Sequence, residues 1–154
     1  MAMLNYDTTV DVEKTLVDIH RMLVRSGARR ISVEYDEHRQ PTAVTFVIVL
    51  PFGETPYRLP ANTAAVYALL ERQWQDGMVR RGLVTVGQAS RVGWRIVKDW
   101  LEAQLTIIDS GLVTLDQVML PYNVVALEDG REGTFYDAWR AHRGKLPSPD
   151  DGAA

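Results

Sequence analysis

The chain of 154 residues contains no cysteine and only three histidines. The absence of cysteine excludes disulfide bonds, thiolate metal ligands and a cysteine nucleophile. The three histidines, His20, His38 and His142, show neither HxH nor HxxxH spacing. A zinc site would therefore need ligands that only the fold brings together, and we expect no metal and no other cofactor.

The sequence also lacks the short motifs through which many enzymes bind phosphate or transfer acyl groups. It has no G-x-x-x-x-G-K-[ST] loop, no G-x-G-x-x-G loop and no G-x-S-x-G elbow. The acidic pairs that can be placed, such as Asp11 with Glu13, lie at a helix start or in the C-terminal segment. A site built from carboxylates that converge only in the folded chain is left open. We predict that the protein is not an enzyme.

Long apolar runs and a strong charge of one sign are missing as well. The longest apolar stretch, near Val44 to Leu50, is far shorter than the roughly 20 residues of a membrane-spanning helix. The net charge is -3 and the pI is about 5.6, which argues against a surface wholly devoted to nucleic acid. We expect a cytoplasmic protein without membrane contact. Any nucleic acid would bind it only at a local patch of the surface.

The sequence has instead the pattern of an α+β protein. Val12, Leu16, Ile19 and Leu23 recur every three or four residues, which predicts an N-terminal helix. After Gly27 the apolar period changes to two, and the segments ISVEY, TAVTFVIVL and PYRLP predict a three-stranded antiparallel meander. Two or three helices are predicted to follow and to pack on the sheet.

We predict a single domain over residues 1–143, because the length suits one hydrophobic core and no linker separates two folding units. Residues 144–154, GKLPSPDDGAA, offer little to bury and are predicted to form a disordered tail. A T-x-x-Q pattern occurs at Thr85 and again at Thr114, and each predicts a capping box at the start of a helix.

The segment ASRVGWRIVKDWLEAQL, residues 89–105, belongs to a predicted long helix whose apolar arc covers more than half of its circumference. Trp94 and Trp100 lie in this arc. A helix of this kind is buried on two sides, either within one chain or between subunits. Both tryptophans are therefore candidates for core packing and for a subunit interface.

Seven cations are predicted to form a basic rim that binds nucleic acid, because the forked donors of arginine suit phosphate. These residues are Arg21, Arg25, Arg29, Arg30, Arg91, Arg95 and Lys98. Two alternatives stay open. Arg95 is spaced to pair with Asp99 and Lys98 with Glu102, which would neutralise part of the rim. The cations also fit scattered solubilising charge.

Three stretches spread over residues 12–122 resemble a family of small proteins carried by bacteriophages and integrated mobile elements. They are VEKTLVDIHRMLVRSGARR, YRLPANTAAVYALL and QASRVGWRIVKDWLEAQLTIIDSGLVTLDQVMLPY. The resemblance implies a phage or prophage origin and transfers no catalytic residue. The order of strands and helix also resembles the core of phage single-strand annealing proteins, in which an oligomer lines up a shallow basic groove from many subunits.

Two hypotheses of different classes follow. The first is a phage-type, non-enzymatic protein of DNA metabolism that binds single-stranded DNA or RNA through the basic rim, as a homo-oligomer. The second is an oligomeric adaptor or host-factor binder that uses the apolar face of the long helix. Burial of Trp94 and Trp100 inside one subunit would remove the main support for the second, whereas their exposure on a flat patch would favour it.

Overall fold

The computed structural model describes residues 1–143, and it has the α+β order that the sequence predicts: a helix, three strands, then helices. The elements are α1 (Val12–Arg25), β1 (Arg30–Tyr35), β2 (Pro41–Leu50), β3 (Gly53–Pro60), α2 (Thr63–Gln75), α3 (Val86–Asp109), α4 (Leu115–Met119), β4 (Val124–Ala126), β5 (Glu132–Thr134) and α5 (Phe135–Ala141), with 3-10 helices at Arg81–Leu83 and Leu120–Tyr122. The predicted tail, residues 144–154, lies outside the described residues.

The first three strands form an antiparallel sheet with β2 in the centre. Val44 of β2 lies between Val33 of β1 and Leu59 of β3. Most of β2 is buried, as its apolar, β-branched sequence predicts for a central strand. β3 begins earlier than the PYRLP segment suggests, because Gly53 pairs with Leu50 across a tight turn at a φ of 123°.

The main hydrophobic core lies between one face of the sheet and the helices α1 and α3. Ile19 of α1 and Leu101 of α3 are each almost completely buried there. Phe46 and Tyr57 are direct cross-strand partners, and their rings stack with centroids 5.5 Å apart. Side chains from four elements thus fill one core, which fixes α1 and α3 on the same face of the sheet.

The opposite face of the sheet carries a polar cross-strand network centred on Glu34. Arg58 donates to both carboxylate oxygens of Glu34, with the Nη2–Oε2 distance at 2.8 Å, and Thr45 Oγ1 donates at 3.1 Å. The hydrogen bond from Arg58 is the main reason that the pKa of Glu34 lies below its ordinary value, and partial burial opposes the shift.

We expect Glu34→Gln to remove part of the acid dependence of stability. Because the pKa of Glu34 is lower in the folded chain than in the unfolded chain, the stabilisation is present above the unfolded pKa and is lost as pH falls through the folded pKa. The pair is more than a third exposed, so solvent limits its contribution to about 1 kcal/mol or less. Urea unfolding at neutral pH and at a pH below the carboxyl range measures the free energy of unfolding with Glu34 ionised and with Glu34 protonated. Glu71→Gln, at an exposed position of α2, is the control, and an equal loss for Glu34→Gln at both pH values contradicts the prediction.

The N-terminal segment before α1 is tied to α2 by a buried glutamine. Gln73 Oε1 accepts from the Met3 N–H at 2.9 Å, and Gln73 Nε2 donates to the Met1 carbonyl. Ala2, Met3 and Tyr6 pack against a second, smaller core around Leu70. The segment is therefore part of the folded structure and packs on the smaller core that α2 and α3 share.

A second buried glutamine, Gln88, ties the same segment to α3. Its Nε2 donates to the carbonyls of Tyr6 and Thr8 at 2.9 and 3.0 Å. Thr85 Oγ1 accepts from the Gln88 N–H, so the predicted helix cap is present. The predicted return bond from the Gln88 side chain is replaced by the two long-range bonds, because the N-terminal segment brings carbonyl groups within its reach.

The chain after α3 folds against the outer edge of β3. Thr114 and Gln117 form the complete capping box that the sequence predicts at the start of α4. β4 pairs with β5 in an antiparallel hairpin. Asn123 bridges to Tyr57, and its Nδ2 donates to the Pro56 carbonyl at 3.0 Å. Among residues 1–143, no helix combines the length and the hydropathy that crossing a membrane requires.

Candidate nucleic-acid interface

Trp94, a predicted interface residue, is part of the core. Its exposed fraction is 0%, and its indole Nε1 donates to the Pro41 carbonyl at 3.2 Å. Trp100 is half-buried and meets Tyr122 edge to face, with ring centroids 5.5 Å apart. The sheet, α1 and the 3-10 helix after α4 thus cover most of the apolar arc of α3. The structure corrects the interface prediction for Trp94, because the chain itself buries this side chain completely.

The seven predicted cations fall into two groups. The arginine cluster, at the C-terminal end of α1 and the start of β1, comprises Arg21, Arg25, Arg29 and Arg30. The seam cations, on the side of α3 near α1 and the N-terminal segment, comprise Arg91, Arg95 and Lys98. The rim predicted from the sequence is therefore divided, and its two parts differ in the partners that they bind.

Arg95 crosses the seam between α1 and α3. Its Nη1 lies 3.4 Å from Asp18 Oδ2 on α1, whereas the sequence predicts a pair with Asp99 one helical turn away. Asp99 instead accepts from Asn5 Nδ2 at 2.8 Å. The predicted Arg95–Asp99 pair is wrong because the packing of α1 supplies a nearer carboxylate to Arg95 and the N-terminal segment supplies a donor to Asp99.

The other two seam cations also bind groups of the chain. Lys98 pairs with Glu102, as its i, i+4 spacing predicts, and lies 3.6 Å from Asp99. The hydrogen bond with Glu102 raises the pKa of Lys98. Arg91 Nε donates to Gln88 Oε1 at 3.0 Å. Lys98 and Arg91 thus bind groups of α3 itself, and Arg95 bonds across to α1. These partners occupy donors that a phosphate would otherwise use, so we assign the seam cations a structural role.

The arginine cluster differs from the seam in its exposure. Arg21, Arg25 and Arg29 are exposed, and none of them forms an ion pair with a carboxylate of residues 1–143. Arg30 makes one bond to Glu54 at 3.0 Å, and its side chain is 69% exposed. Since a guanidinium has five N–H donors, Arg30 retains donors for a further partner.

An exposed aromatic ring lies at the same end of the sheet. Phe52 occupies the turn between β2 and β3 and is 73% exposed. Glu54, the partner of Arg30, is only two residues away along the chain. Exposed rings of this kind can stack on unpaired bases. On the side that faces α3, Arg25 shares a cleft with Glu102 and Asp109. These two carboxylates end the positively charged surface on that side.

Comparison with protein-family models, curated protein sequences and solved structures gives no match to this chain. The resemblance to phage-carried proteins stays a prediction from the sequence stretches that carry it. The function is therefore inferred from the surfaces of the chain alone.

A second exposed aromatic group, which the sequence analysis did not single out, lies on α5. The rings of Tyr136 and Trp139 stack with centroids 6.0 Å apart and are 46% and 41% exposed. Phe135 is 41% exposed beside them, and Arg140 Nη1 donates to the Tyr136 hydroxyl. The three aromatic residues of FYDAW are visible in the sequence, but only the packing of α5 shows that their rings face solvent.

Three carboxylates of the described chain are stabilised in their ionised form by hydrogen bonds. Glu34, Asp129 and Asp137 all have a lowered pKa, in each case mainly because a neighbouring arginine or threonine donates a hydrogen bond. A general acid near neutral pH needs the opposite shift. Over residues 1–143, no three histidine, aspartate or glutamate side chains come together as a possible metal site.

Proposed function

We propose that the protein is a phage-type, non-enzymatic protein of DNA metabolism that binds single-stranded nucleic acid through the arginine cluster. The observation that carries the proposal is the exposure of Arg21, Arg25 and Arg29 without a carboxylate partner in the described chain. The proposed site is narrower than the rim predicted from the sequence, because the seam cations bind groups of the chain itself.

The geometry of the cluster suits a phosphate backbone. Arg21 and Arg25 lie on successive turns at the end of α1, so their side chains are roughly 5–6 Å apart at Cβ. Arg29 lies just before β1, and Arg30 begins β1 with its side chain on the sheet face away from the helices. Phe52 adds a ring on which one base can stack. The mildly acidic net charge does not oppose such a local site, because charges beyond about 8–10 Å are largely screened at physiological salt.

The test is fluorescence anisotropy of a labelled single-stranded oligonucleotide, titrated with protein over a range of salt concentrations. We expect the double variant Arg21→Glu/Arg25→Glu to weaken binding at low salt by roughly tenfold or more. The slope of log K against log salt should fall by about 1.4, since each phosphate contact to a single strand contributes about 0.7.

The matched control is Arg72→Glu/Arg80→Glu, which changes the net charge by the same amount at exposed positions outside the cluster. We expect this control to retain most of the affinity. Equal losses in the two double variants would show that net charge and not the cluster governs binding. Absence of binding by the unaltered protein at low salt would remove nucleic acid as the ligand.

The alternative, an oligomeric adaptor that uses the apolar face of the long helix, has less support from the structure. Trp94 is completely buried, and Tyr122 covers one side of Trp100. Some apolar surface remains near the C-terminal end of α3, where Ile107 is 36% exposed. A single exposed apolar side chain is common on protein surfaces and does not by itself mark a binding patch.

A further inference from the structure

The two edges of the sheet differ in how they are protected. On β3, Pro56 and Pro60 have no N–H to offer, and Asn123 binds the Pro56 carbonyl. β1 forms the other edge and contains no proline. An unprotected edge strand presents free N–H and C=O groups to which a further strand can pair.

Hydrogen bonds within the sheet show which residues of β1 carry these free groups. The Ala61 N–H donates to the Thr42 carbonyl at 2.9 Å, so Thr42 directs its backbone groups toward β3. The backbone groups of successive residues point to opposite sides of a strand, so Ala43, the next residue, points toward β1. Ala43 is paired with Glu34, and the backbone groups of Glu34 therefore point inward toward β2. By the same alternation, Ile31 and Val33 direct their N–H and C=O groups outward. On that side they have no backbone partner in residues 1–143.

An apolar groove of about 360 Å³ runs beside this open edge, between β1 and α1. Ile31, Val33 and Tyr35 line it from the strand. Val17 lines it from α1 and is 46% exposed, and Val24, two turns further along the same side, is 53% exposed. The open edge is thus flanked by exposed aliphatic groups, which water solvates poorly.

We infer that β1 is a dimerisation edge, at which β1 of a second copy of this chain pairs antiparallel about a two-fold axis through Ser32. Ile31 then lies opposite Val33 of the second copy, and the outward N–H and C=O groups of the two residues bond to each other. Two three-stranded sheets become one sheet of six strands. Val17, which lines the groove from α1, then faces the second copy on the helix side of the joined sheet.

The charges of β1 select this register. Regular pairing of β1 with β2 runs from Arg30 to Glu34, where a bulge interrupts it, and Ser32 is the centre of that stretch. Pairing about Ser32 sets Arg30 opposite Glu34 of the second copy, twice by symmetry, on the face away from the helices. Arg30 already pairs with Glu54 and Glu34 with Arg58 within each chain, so the new contact extends these pairs into a network of alternating charge. Opposite charges in directly opposed positions stabilise a strand pair. A slip of two residues in one direction would instead set Arg30 opposite Ser32.

The chain has no cysteine, so Ser32→Cys introduces a single thiol at the proposed axis. The two Ser32 residues form a non-hydrogen-bonded pair with Cα atoms about 4.5 Å apart, within the roughly 4.4–6.8 Å that a disulfide spans. We expect mild oxidation to link Ser32→Cys rapidly into covalent dimers on non-reducing gels. Ala68→Cys, at an exposed site of α2, is the control and should link much more slowly. Equal rates for the two variants would overturn the inference.

Sedimentation velocity with charged variants tests the same axis without a cross-link. We expect the unaltered protein to sediment as a dimer at micromolar concentrations. Ser32→Asp and Ser32→Lys should each sediment as a monomer, because the axis sets each charge against its own copy, and an equimolar mixture should recover the dimer. A monomeric unaltered protein, or variants that remain dimers when alone, would overturn the inference. Arg30 lies on this edge and Arg21 lines the groove, so the edge adjoins the arginine cluster. The Ser32 variants retain all four arginines, and sedimentation without oligonucleotide therefore measures dimerisation separately from nucleic-acid binding.

Discussion

Replacing Trp94 with alanine is expected to lower the free energy of unfolding by about 3–5 kcal/mol. The side chain is the largest of those fully buried, and it packs with Phe46 and Leu101 in the core between the sheet and the helices. Alanine would leave a cavity that the strands and α1 cannot close without moving. It would also remove the hydrogen bond that the Pro41 carbonyl accepts from the indole at 3.2 Å.

Urea unfolding followed by far-ultraviolet circular dichroism measures this loss. Trp139→Ala is the matched control, because Trp139 is 41% exposed on α5, and we expect it to cost no more than about 1 kcal/mol. Trp94→Phe retains most of the apolar volume, and its loss should fall between those two values. If Trp94→Ala and Trp139→Ala had equal effects, Trp94 would not be the core residue that the structure shows.

Gln88→Met is expected to destabilise the protein by about 1–3 kcal/mol and to release the N-terminal segment. Gln88 is only 4% exposed, and methionine has a similar length and volume, so the main change is the loss of hydrogen bonds. The carbonyls of Tyr6 and Thr8 lose their donor, and Arg91 Nε loses its acceptor. Buried groups left without partners bear their full desolvation cost.

Hydrogen exchange separates the local effect of Gln88→Met from the global one. We expect the amides of residues 1–10 to exchange faster in this variant, together with the lower unfolding free energy. Gln104→Met, at a half-buried position of the same helix, is the control and should change the unfolding free energy by no more than about 0.5 kcal/mol. Unchanged exchange in residues 1–10 of Gln88→Met would contradict the role of Gln88 as an anchor of the segment.

Much of the fold could be predicted from local pattern. The three-to-four spacing of Ile19 and Leu23, the alternation around Val33 and the T-x-x-Q pattern at Thr114 each depend on residues close in sequence, and each is present in the structure. Such patterns succeed because side-chain direction follows backbone period within a single helix or strand. They say little about partners that are far apart along the chain.

The candidate site shows where local pattern fails. The predicted pair of Arg95 with Asp99 assumes an isolated helix, and the approach of α1 brings Asp18 to Arg95 instead. Likewise Gln88, predicted as a cap residue, binds carbonyls of the N-terminal segment some 80 positions away. In both cases the competing partner lies within hydrogen-bond distance only after the helices pack.

The α+β class, the central place of β2 and the apolar character of α3 follow from local pattern, because periodicity and composition act over a few neighbouring residues. The packing of the whole chain buries Trp94, gives the cations of α3 partners within the chain, and leaves an open edge at β1 but not at β3. Burial and pairing depend on which distant segments of the chain come into contact, so no single segment determines them.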